Sequence, residues 1–395
     1  MAGTPCGGPG GNGHGGGHGG GHGGGGHGGG DGDDPSKSGG YRIGDQVPTP
    51  ESLNLEPVFA LDLAKATSFS DLLHEMAHTA FGGRTLGEAA DVLTEMVLDP
   101  DVLIVGTFSG AMTVAKQGLL LCDMMDHGML DIIISTGALM THGLVEASGA
   151  THFKVPPDMD DRAMFYAGLD RVYDTLELEK NLNDLSDIIQ VVMETWPDGV
   201  VASSHTILEK IAQYLVANVK GRGILPTALA RGVPVFVPAF TDSELGLDVA
   251  IHNRMRARDG RPRIQFDPFL DLEAYTERIA NSKKLGIFTI GGGVPRNWAQ
   301  QVGPYLDLLG SRAGIEMPLR RFQYGVRICP EPVHWGGLSG CTYSEGVSWG
   351  KFVPVKDGGR YSEVMSDATI AWPILIAGVL ERVKKARGTP APAAP

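Results

Sequence analysis

The 395-residue sequence contains few cysteines, no long apolar run and no excess of basic residues. Its cysteines, Cys6, Cys122, Cys329 and Cys341, are too scattered for a disulfide framework or a paired zinc site. No stretch of about 18 apolar residues is present, so we expect no membrane span. A net charge of −13 disfavours a surface that binds nucleic-acid phosphates. The first residues form no apolar signal segment, so we expect a cytoplasmic protein.

Glycine and histidine are concentrated at one end of the sequence. Residues 1–40 contain 22 of the 57 glycines, and their histidines are His14, His18, His22 and His27. Such a segment cannot bury apolar surface, so we predict disordered tails at 1–40 and 389–395 and a single domain over 41–388. The spaced histidines indicate either loose binding of a transition metal or only a flexible extension.

Short apolar, β-branched segments recur through the body of the chain, and most precede a helical pattern. They are Val102–Gly106, Asp131–Thr136, Pro234–Val237, Leu285–Ile290 and Phe322–Ile328. This alternation predicts an α/β fold in which a mainly parallel, Rossmann-like sheet carries helices on both faces. Ligands of such folds bind beyond the carboxyl ends of the strands, so the residues that follow each strand are the candidate site residues.

The sequence His74-Glu75-Met76-Ala77-His78 matches the zincin pattern, which places two histidines on one helix face beside a glutamate base. A zinc site of this kind needs a third ligand, and only Glu88 and Glu95 are near in sequence. The alternative is a pair of surface or interface histidines on an amphipathic helix. We predict that no metal ion is bound there or in the active site.

Two loops after predicted strands are rich in small residues. Gly291-Gly292-Gly293 lets the backbone approach a ligand closely, although a tight strand-to-helix turn would have the same sequence. Its spacing is not the dinucleotide fingerprint. Thr107–Met112 follows the first strand, and its hydroxyls suit the sugar or phosphate of a nucleotide or simply form a compact turn.

The segment Glu345–Lys351 places a lysine beside a tryptophan and a glycine. Desolvation in apolar surroundings lowers the pKa of a lysine, and the neutral amine can form an imine with a carbonyl-like carbon. The alternative is an ordinary surface lysine.

The segment Ser344–Lys351 resembles the active-site signature of the deoxyhypusine synthase family. Other motifs occur in that family's order and span most of residues 50–385. They are Thr107–Gly118, Leu225-Pro226-Thr227, Pro234–Asp242, Gly291–Val294 and Ser366-Asp367-Ala368. The resemblance implies the family's α/β fold, NAD as cofactor, and a homotetramer whose active sites lie across a dimer interface.

The resemblance also implies the chemistry and the residues that perform it. NAD would oxidise a polyamine or diamine donor, and Lys351 would carry the aminoalkyl group as an imine before its transfer to an acceptor amine. Trp349 would pack along the aliphatic chain, and Glu345 would hold an ammonium group. The implied cofactor contacts are Ser109, Gly110, Ala111, Met112, Thr136, Gly137, Asp242, Asp367 and Ala368. Further implied donor contacts are His142, Asp248, Gly292 and Asn297.

Some positions depart from the family pattern and change the expected donor. Acidic residues of the family are replaced by His142, by Leu247 with Asp248 beside it, and by Leu338, while the family's histidine is Asn297. Losing carboxylates disfavours a trication, so a smaller amine such as putrescine or agmatine fits better than spermidine. The pattern resembles the bacterial deoxyhypusine synthase-like branch. The alternatives are homospermidine synthesis, agmatine hydrolysis, or a binder of amines or nucleotides without catalysis.

Overall fold

The computed structural model of the chain describes residues 48–388. The predicted tails at 1–40 and 389–395 lie outside the described residues, and their disorder stays a prediction. Contacts between residues divide the chain into Met1–Pro57 and Val58–Pro395. The described part of the first unit is a turn in which the Leu55 amide donates a hydrogen bond to the Pro50 carbonyl oxygen. The second unit contains the fold described below.

Eleven strands form within residues 48–388, and six of them make the main sheet. The strands are β1 Val102–Phe108, β2 Ile132–Ser135, β3 Phe153–Lys154, β4 Leu169–Val172, β5 Thr175–Leu178, β6 Val201–Ala202, β7 Val235–Phe236, β8 Gln265–Phe266, β9 Lys284–Ile290, β10 Phe322–Ile328 and β11 Arg360–Val364. The main sheet has the order β11-β10-β9-β1-β2-β7, and every neighbouring pair in it is parallel.

Fourteen α-helices accompany these strands in the described part of the chain. They are α1 Phe69–Ala77, α2 Phe81–Leu98, α3 Gly118–Asp126, α4 Gly137–Ala147, α5 Asp161–Tyr166, α6 Glu179–Glu194, α7 Ser204–Asn218, α8 Ile224–Arg231, α9 Glu244–Arg258, α10 Phe269–Ala280, α11 Gly293–Gln300, α12 Val302–Ala313, α13 Tyr343–Ser348 and α14 Ala368–Ala386.

Alternate residues of the central strands enter two separate hydrophobic cores. On β9, Phe288 belongs to one core with α2 and α14, whereas Leu285 and Ile287 belong to the other with α10 and α12. Successive side chains of a strand point to opposite faces, so the two cores cover opposite faces of the sheet. The predicted α/β fold, with a mainly parallel sheet and helices on both faces, is confirmed.

The five predicted strands all form, with ends that differ by one or two residues at most. β11 was not predicted, because Arg360 and Glu363 interrupt its apolar pattern and it lies at the sheet edge. Two small sheets were also missed. One is the antiparallel β3-β5-β4 sheet, and the other is the parallel pair β6-β8. Strands of two to four residues are too short to produce a clear periodicity.

The strand order changes direction between β1 and β9. The chain runs outwards from β1 to β2 and β7, and then returns to build β9, β10 and β11 on the other side. β1 and β9 stay paired up to Phe108 and Ile290, and the connections that follow lead to α3 on one face of the sheet and α11 on the other. This arrangement leaves a crevice of the kind that binds ligands in doubly wound folds. Among residues 48–388, no helix has the length and apolar character needed to cross a membrane.

Candidate active site

Lys351 is held in a buried position three residues after the end of α13. Its amide donates to the Gly346 carbonyl oxygen at 3.1 Å, and its own carbonyl oxygen accepts from the Phe322 amide at 3.0 Å. The preceding Gly350 has φ +69°, a left-handed conformation that a side chain would strain. Only 8% of Lys351 is exposed, and its Nζ donates to Asn297 Oδ1 at 3.0 Å. The backbone thus directs the amine inward.

The surroundings of Lys351 favour its neutral form. Burial lowers the pKa of the Lys351 ammonium below its usual value. The nearby Arg296 charge lowers that pKa further, whereas Cys341 and Glu345 act in the opposite direction. Lys351 is thus not an ordinary surface lysine, and its catalytic role stays a prediction. A larger fraction of the amine is therefore unprotonated at neutral pH than for an exposed lysine.

The amine opens into a cavity of about 270 Å³. Its lining combines α11, α13 and the loop between Cys329 and Thr342, and comprises Asn297, Gln301, Val333, Gly336, Gly337, Leu338, Cys341, Glu345, Trp349 and Lys351. Trp349 is 64% exposed and Leu338 is 48% exposed, so both lie at the mouth. The structure therefore places Asn297 of α11 beside Lys351, Glu345 and Trp349, which belong to one sequence motif.

Buried arginines hold this loop against the sheet. Arg327 of β10 pairs with Glu363 of β11, and its Nη1 donates to the carbonyl oxygens of Ser339 at 2.6 Å and Cys341 at 2.7 Å. Arg296 donates to the Cys341 carbonyl oxygen at 2.8 Å from the other side. Sequence reasoning missed these residues, although a charged Arg327 within the apolar strand Phe322–Ile328 was a signal for a buried partner.

The cavity adjoins the crevice between β1 and β9. Ser109 Oγ accepts from the Gly292 amide at 2.9 Å, and the Ser109 amide donates to the Ile290 carbonyl oxygen at 3.1 Å. A Cβ on Gly292 would lie 2.6 Å from Ser339 Cα, so only glycine allows this approach of the loops. α11 begins here and places Asn297 beside Lys351.

The other predicted cofactor residues lie at the carboxyl edge of the same sheet. Gly110, Ala111 and Met112 continue the loop after β1, and Thr136 and Gly137 join β2 to α4. Asp242 lies exposed in the loop after β7. Asp367 caps α14 after β11 by accepting from the Thr369 amide at 2.8 Å, and Ala368 is the first residue of that helix.

Three predicted donor contacts, Gly292, Asp248 and His142, are not among the residues that line the Lys351 cavity of this chain. Asp248 is buried on α9 and accepts from Ser186 Oγ of α6 at 2.7 Å. Burial raises the pKa of Asp248, Glu244 raises it further, and Ser186 opposes the shift. His142 of α4 instead faces Glu177, at 3.3 Å between Nδ1 and Oε2.

His142 belongs to a cluster that the sequence analysis did not anticipate. Within residues 48–388, one group of His, Cys, Asp or Glu side chains is close enough together to share a metal ion, and it consists of His142, His152 and Glu177. Burial alone would raise the pKa of Glu177, but hydrogen bonds from His142, His152 and Asn181 lower it below its usual value. The spacing of these three residues in the sequence does not indicate a metal site, because they come from α4, the segment before β3, and β5.

The two histidines of the zincin-like motif lie next to each other at the end of α1. α1 ends at Ala77, and His78 follows it with Nδ1 donating to the His74 carbonyl oxygen at 2.8 Å. The two imidazole centres are 4.8 Å apart and meet edge to face. In the part of the chain that the structure describes, no third ligand joins the pair. That His74 and His78 bind no zinc stays a prediction.

These features define an α/β protein whose parallel sheet has a ligand-binding crevice next to a cavity with a buried lysine. The sequence profile of the family described as deoxyhypusine synthase matches residues 71–379. The chain belongs to the deoxyhypusine synthase family, and like its relatives it is a transferase.

Named relatives match over most of the chain. "Probable deoxyhypusine synthase 2" of Archaeoglobus fulgidus is 36% identical over 307 residues, which is 77% of this chain and 96% of that protein. "Deoxyhypusine synthase-like protein" of Chlorobaculum tepidum is 31% identical over 337 residues, covering 85% of this chain and 92% of that protein. A solved structure from Entamoeba histolytica, whose name also includes deoxyhypusine synthase, is similar in fold. It has a TM-score of 0.53 and 13% identity, and the match covers 82% of this chain and 97% of that one.

Proposed function

We propose that the protein moves an aminoalkyl group from a diamine or polyamine donor to an acceptor amine, with NAD as cofactor and an imine on Lys351. The observation that carries this proposal is the burial of Lys351, with a lowered pKa, in a cavity next to the crevice between β1 and β9. An activated lysine beside a nucleotide-type crevice fits transfer chemistry in which the enzyme holds the group covalently.

The carboxyl edge of the sheet fits a dinucleotide. Asp242 and Asp367 lie at this edge in the loops after β7 and β11, and their exposed carboxylates can accept hydrogen bonds from ribose hydroxyls. The residues that would hold NAD are Ser109, Gly110, Ala111, Met112, Thr136, Gly137, Asp242, Asp367 and Ala368. When bound, NAD supplies a hydride acceptor and later a hydride donor for the carbon next to the donor nitrogen.

Lys351 would carry the group between donor and acceptor. Its neutral Nζ adds to the C=N carbon of the oxidised donor, and the bond from that carbon to the departing amine breaks as this amine takes up a proton. The aminoalkyl group is then an imine of Lys351. An acceptor amine adds to the same carbon and releases Lys351. Asn297 Oδ1, 3.0 Å from Nζ, would orient the amine for both steps.

The cavity favours a donor with few charges. Among the described residues that line the cavity, Glu345 is the one with a carboxylate. Trp349 offers an aromatic face for a methylene chain or an ammonium group. Leu338 and Asn297 contribute no negative charge. We therefore propose putrescine or agmatine, rather than the trication spermidine, as the donor. Gly292 would contribute backbone close to the donor.

The mouth of the cavity supports the assembly that the family implies. Trp335 is 70% exposed, and Trp349, Leu338 and Val333 are exposed beside it. A second copy of the chain would cover such apolar side chains, as expected for active sites at a dimer interface in a homotetramer. His142 and Asp248 would then reach a donor only from a neighbouring subunit. A cytoplasmic location, without nucleic-acid or membrane partners, remains part of the proposal.

An assay with a panel of amines tests the proposed function. The protein is incubated with NAD and putrescine, agmatine, spermidine or spermine, and the absorbance of reduced nicotinamide and the amine products are followed together. Transfer predicts a new secondary amine and a transient, amine-dependent absorbance of reduced nicotinamide, because the hydride returns in the last step. Homospermidine as product would select that alternative, whereas urea from agmatine without any absorbance change would indicate hydrolysis. No product from any amine would contradict a transferase of this kind.

The exposed carboxylate of Asp242 gives a separate test of the cofactor. Asp242→Ala should weaken NAD binding by about 1–3 kcal/mol, because a charged acceptor of ribose hydrogen bonds is lost. Isothermal titration calorimetry measures this change. Glu244→Ala, an exposed acidic residue at the start of α9, is the matched control and should leave the affinity unchanged. Equal affinity of the Asp242→Ala protein, or no binding of NAD at millimolar concentration to the unmodified chain, would refute the assignment.

A further inference from the structure

Three potential ligand atoms converge in the interior between α4, β5 and the segment before β3. His142 Nδ1 lies 3.3 Å from Glu177 Oε2, His152 Nε2 lies 2.8 Å from the same oxygen, and the two nitrogens are 3.4 Å apart. We propose that His142, His152 and Glu177 bind a divalent transition-metal ion of the Zn²⁺ class, with a fourth position open to water or another ligand.

These distances match one face of a coordination tetrahedron. Zinc binds histidine nitrogen and carboxylate oxygen at about 2.0–2.1 Å, so neighbouring ligand atoms lie about 3.3–3.4 Å apart. Two of the three distances already have this value, and the third needs an adjustment of about half an ångström. Two histidines and one glutamate, with a fourth position free, are a donor set that zinc uses in catalytic sites.

The surrounding residues hold Glu177 in a ligand orientation. Its Oε1 accepts from the Leu178 amide at 2.9 Å and from Asn181 Nδ2 at 2.8 Å, so Oε2 is directed at the two imidazoles. The side chains of Glu177 and His152 are almost fully buried. Hydrogen bonds to the second oxygen of a carboxylate fix its orientation in metal sites.

Lys116 is the main competitor for the metal ion. Its Nζ lies 2.9 Å from His152 Nδ1 and 2.7 Å from Glu146 Oε1, so Nδ1 accepts and Nε2 carries the proton that points to Glu177. Metal binding needs the lone pair of Nε2, which moves the proton to Nδ1. Glu146 Oε1 lies 3.9 Å from Nδ1, so once Lys116 turns outward a small side-chain movement lets Glu146 accept a hydrogen bond from the Nδ1–H group. Removing Lys116 should therefore strengthen binding.

The site does not depend on the proposed transfer reaction. None of the three residues lines the Lys351 cavity of this chain. The proposal gives His142 a role as a ligand in place of a donor contact, and it adds a metal ion to a chain for which the sequence predicted none.

Titration of the full-length, metal-stripped protein with Co²⁺ and equilibrium dialysis with Zn²⁺ test the proposal. The unmodified chain should show the intense visible bands of tetrahedral Co²⁺ and bind one tightly held ion. His152→Ala and Glu177→Gln should lose the bands and weaken binding at least about a hundredfold, since each removes a ligand. Lys116→Met should tighten binding several-fold, which a purely structural hydrogen-bonded cluster would not produce.

The controls separate this site from the other histidines. Every variant keeps the histidines of residues 1–40, so any loose binding there is common to all samples. His74→Ala/His78→Ala should retain the tight ion, and circular dichroism checks that each variant is folded. If His152→Ala does not fold, the near-isosteric Glu177→Gln and Lys116→Met decide. Equal tight binding in the unmodified and Glu177→Gln proteins, octahedral Co²⁺ spectra only, or loss of the ion with His74 and His78 would overturn the proposal.

Discussion

Lys351→Arg is expected to abolish aminoalkyl transfer while NAD binding persists. A guanidinium stays protonated at every accessible pH, so it cannot attack the C=N carbon that a neutral lysine attacks. Loss of a covalent nucleophile lowers turnover on the order of a thousandfold or more. Lys356→Arg is the matched control, because Lys356 is exposed on the loop that follows the active lysine. Product analysis by mass spectrometry and calorimetry with NAD measure the two effects separately.

Chemical trapping locates the covalent group directly. Borohydride added during turnover should reduce an imine and fix the mass of the aminoalkyl group on the peptide that contains Lys351. The rate should also rise with pH as Lys351 loses its proton, and this rise should centre below the usual lysine pKa of about 10.4, because burial lowers the pKa of this ammonium. Normal turnover by Lys351→Arg, or an adduct on another residue, would show that the site is assigned wrongly.

The sequence predicted the sheet well because its central strands are buried on both faces. β1, β9 and β10 are continuous runs of apolar and β-branched residues, which leave little choice of element. β11 alternates between polar and apolar residues at an edge, and β3 to β5 are short hairpin strands. Their positions depend on partners far along the chain, which a local pattern does not contain.

The cavity could be predicted only in part for the same reason. Lys351, Trp349 and Glu345 share one segment, so one motif indicated all three. Asn297 joins them through α11, and its contact with Lys351 appears only when β9 and β10 are placed side by side. His152 and Glu177 were not singled out at all, because isolated polar residues on separate elements form a cluster only in three dimensions.

Arg327→Leu is expected to reduce the free energy of unfolding by about 3–5 kcal/mol. Arg327 is buried, and its loss leaves Glu363 without its cation and the Ser339 and Cys341 carbonyl oxygens without a donor. Urea unfolding followed by circular dichroism measures the change. Arg312→Leu, an exposed arginine at the end of α12, is the control and should change stability by no more than about 0.5 kcal/mol.

The double variant Arg327→Leu/Glu363→Leu separates an orphaned charge from a lost loop contact. Removing Glu363 as well should recover part of the stability, because no unpaired carboxylate remains near the strand. The double variant should not recover amine binding. The loop that carries Leu338 and Cys341 still lacks the Arg327 guanidinium, whose hydrogen bonds hold this loop over Lys351. NAD affinity should change little in both variants, because Asp242 lies in another loop. Wild-type stability and amine affinity in Arg327→Leu would mean that this arginine does not position the loop.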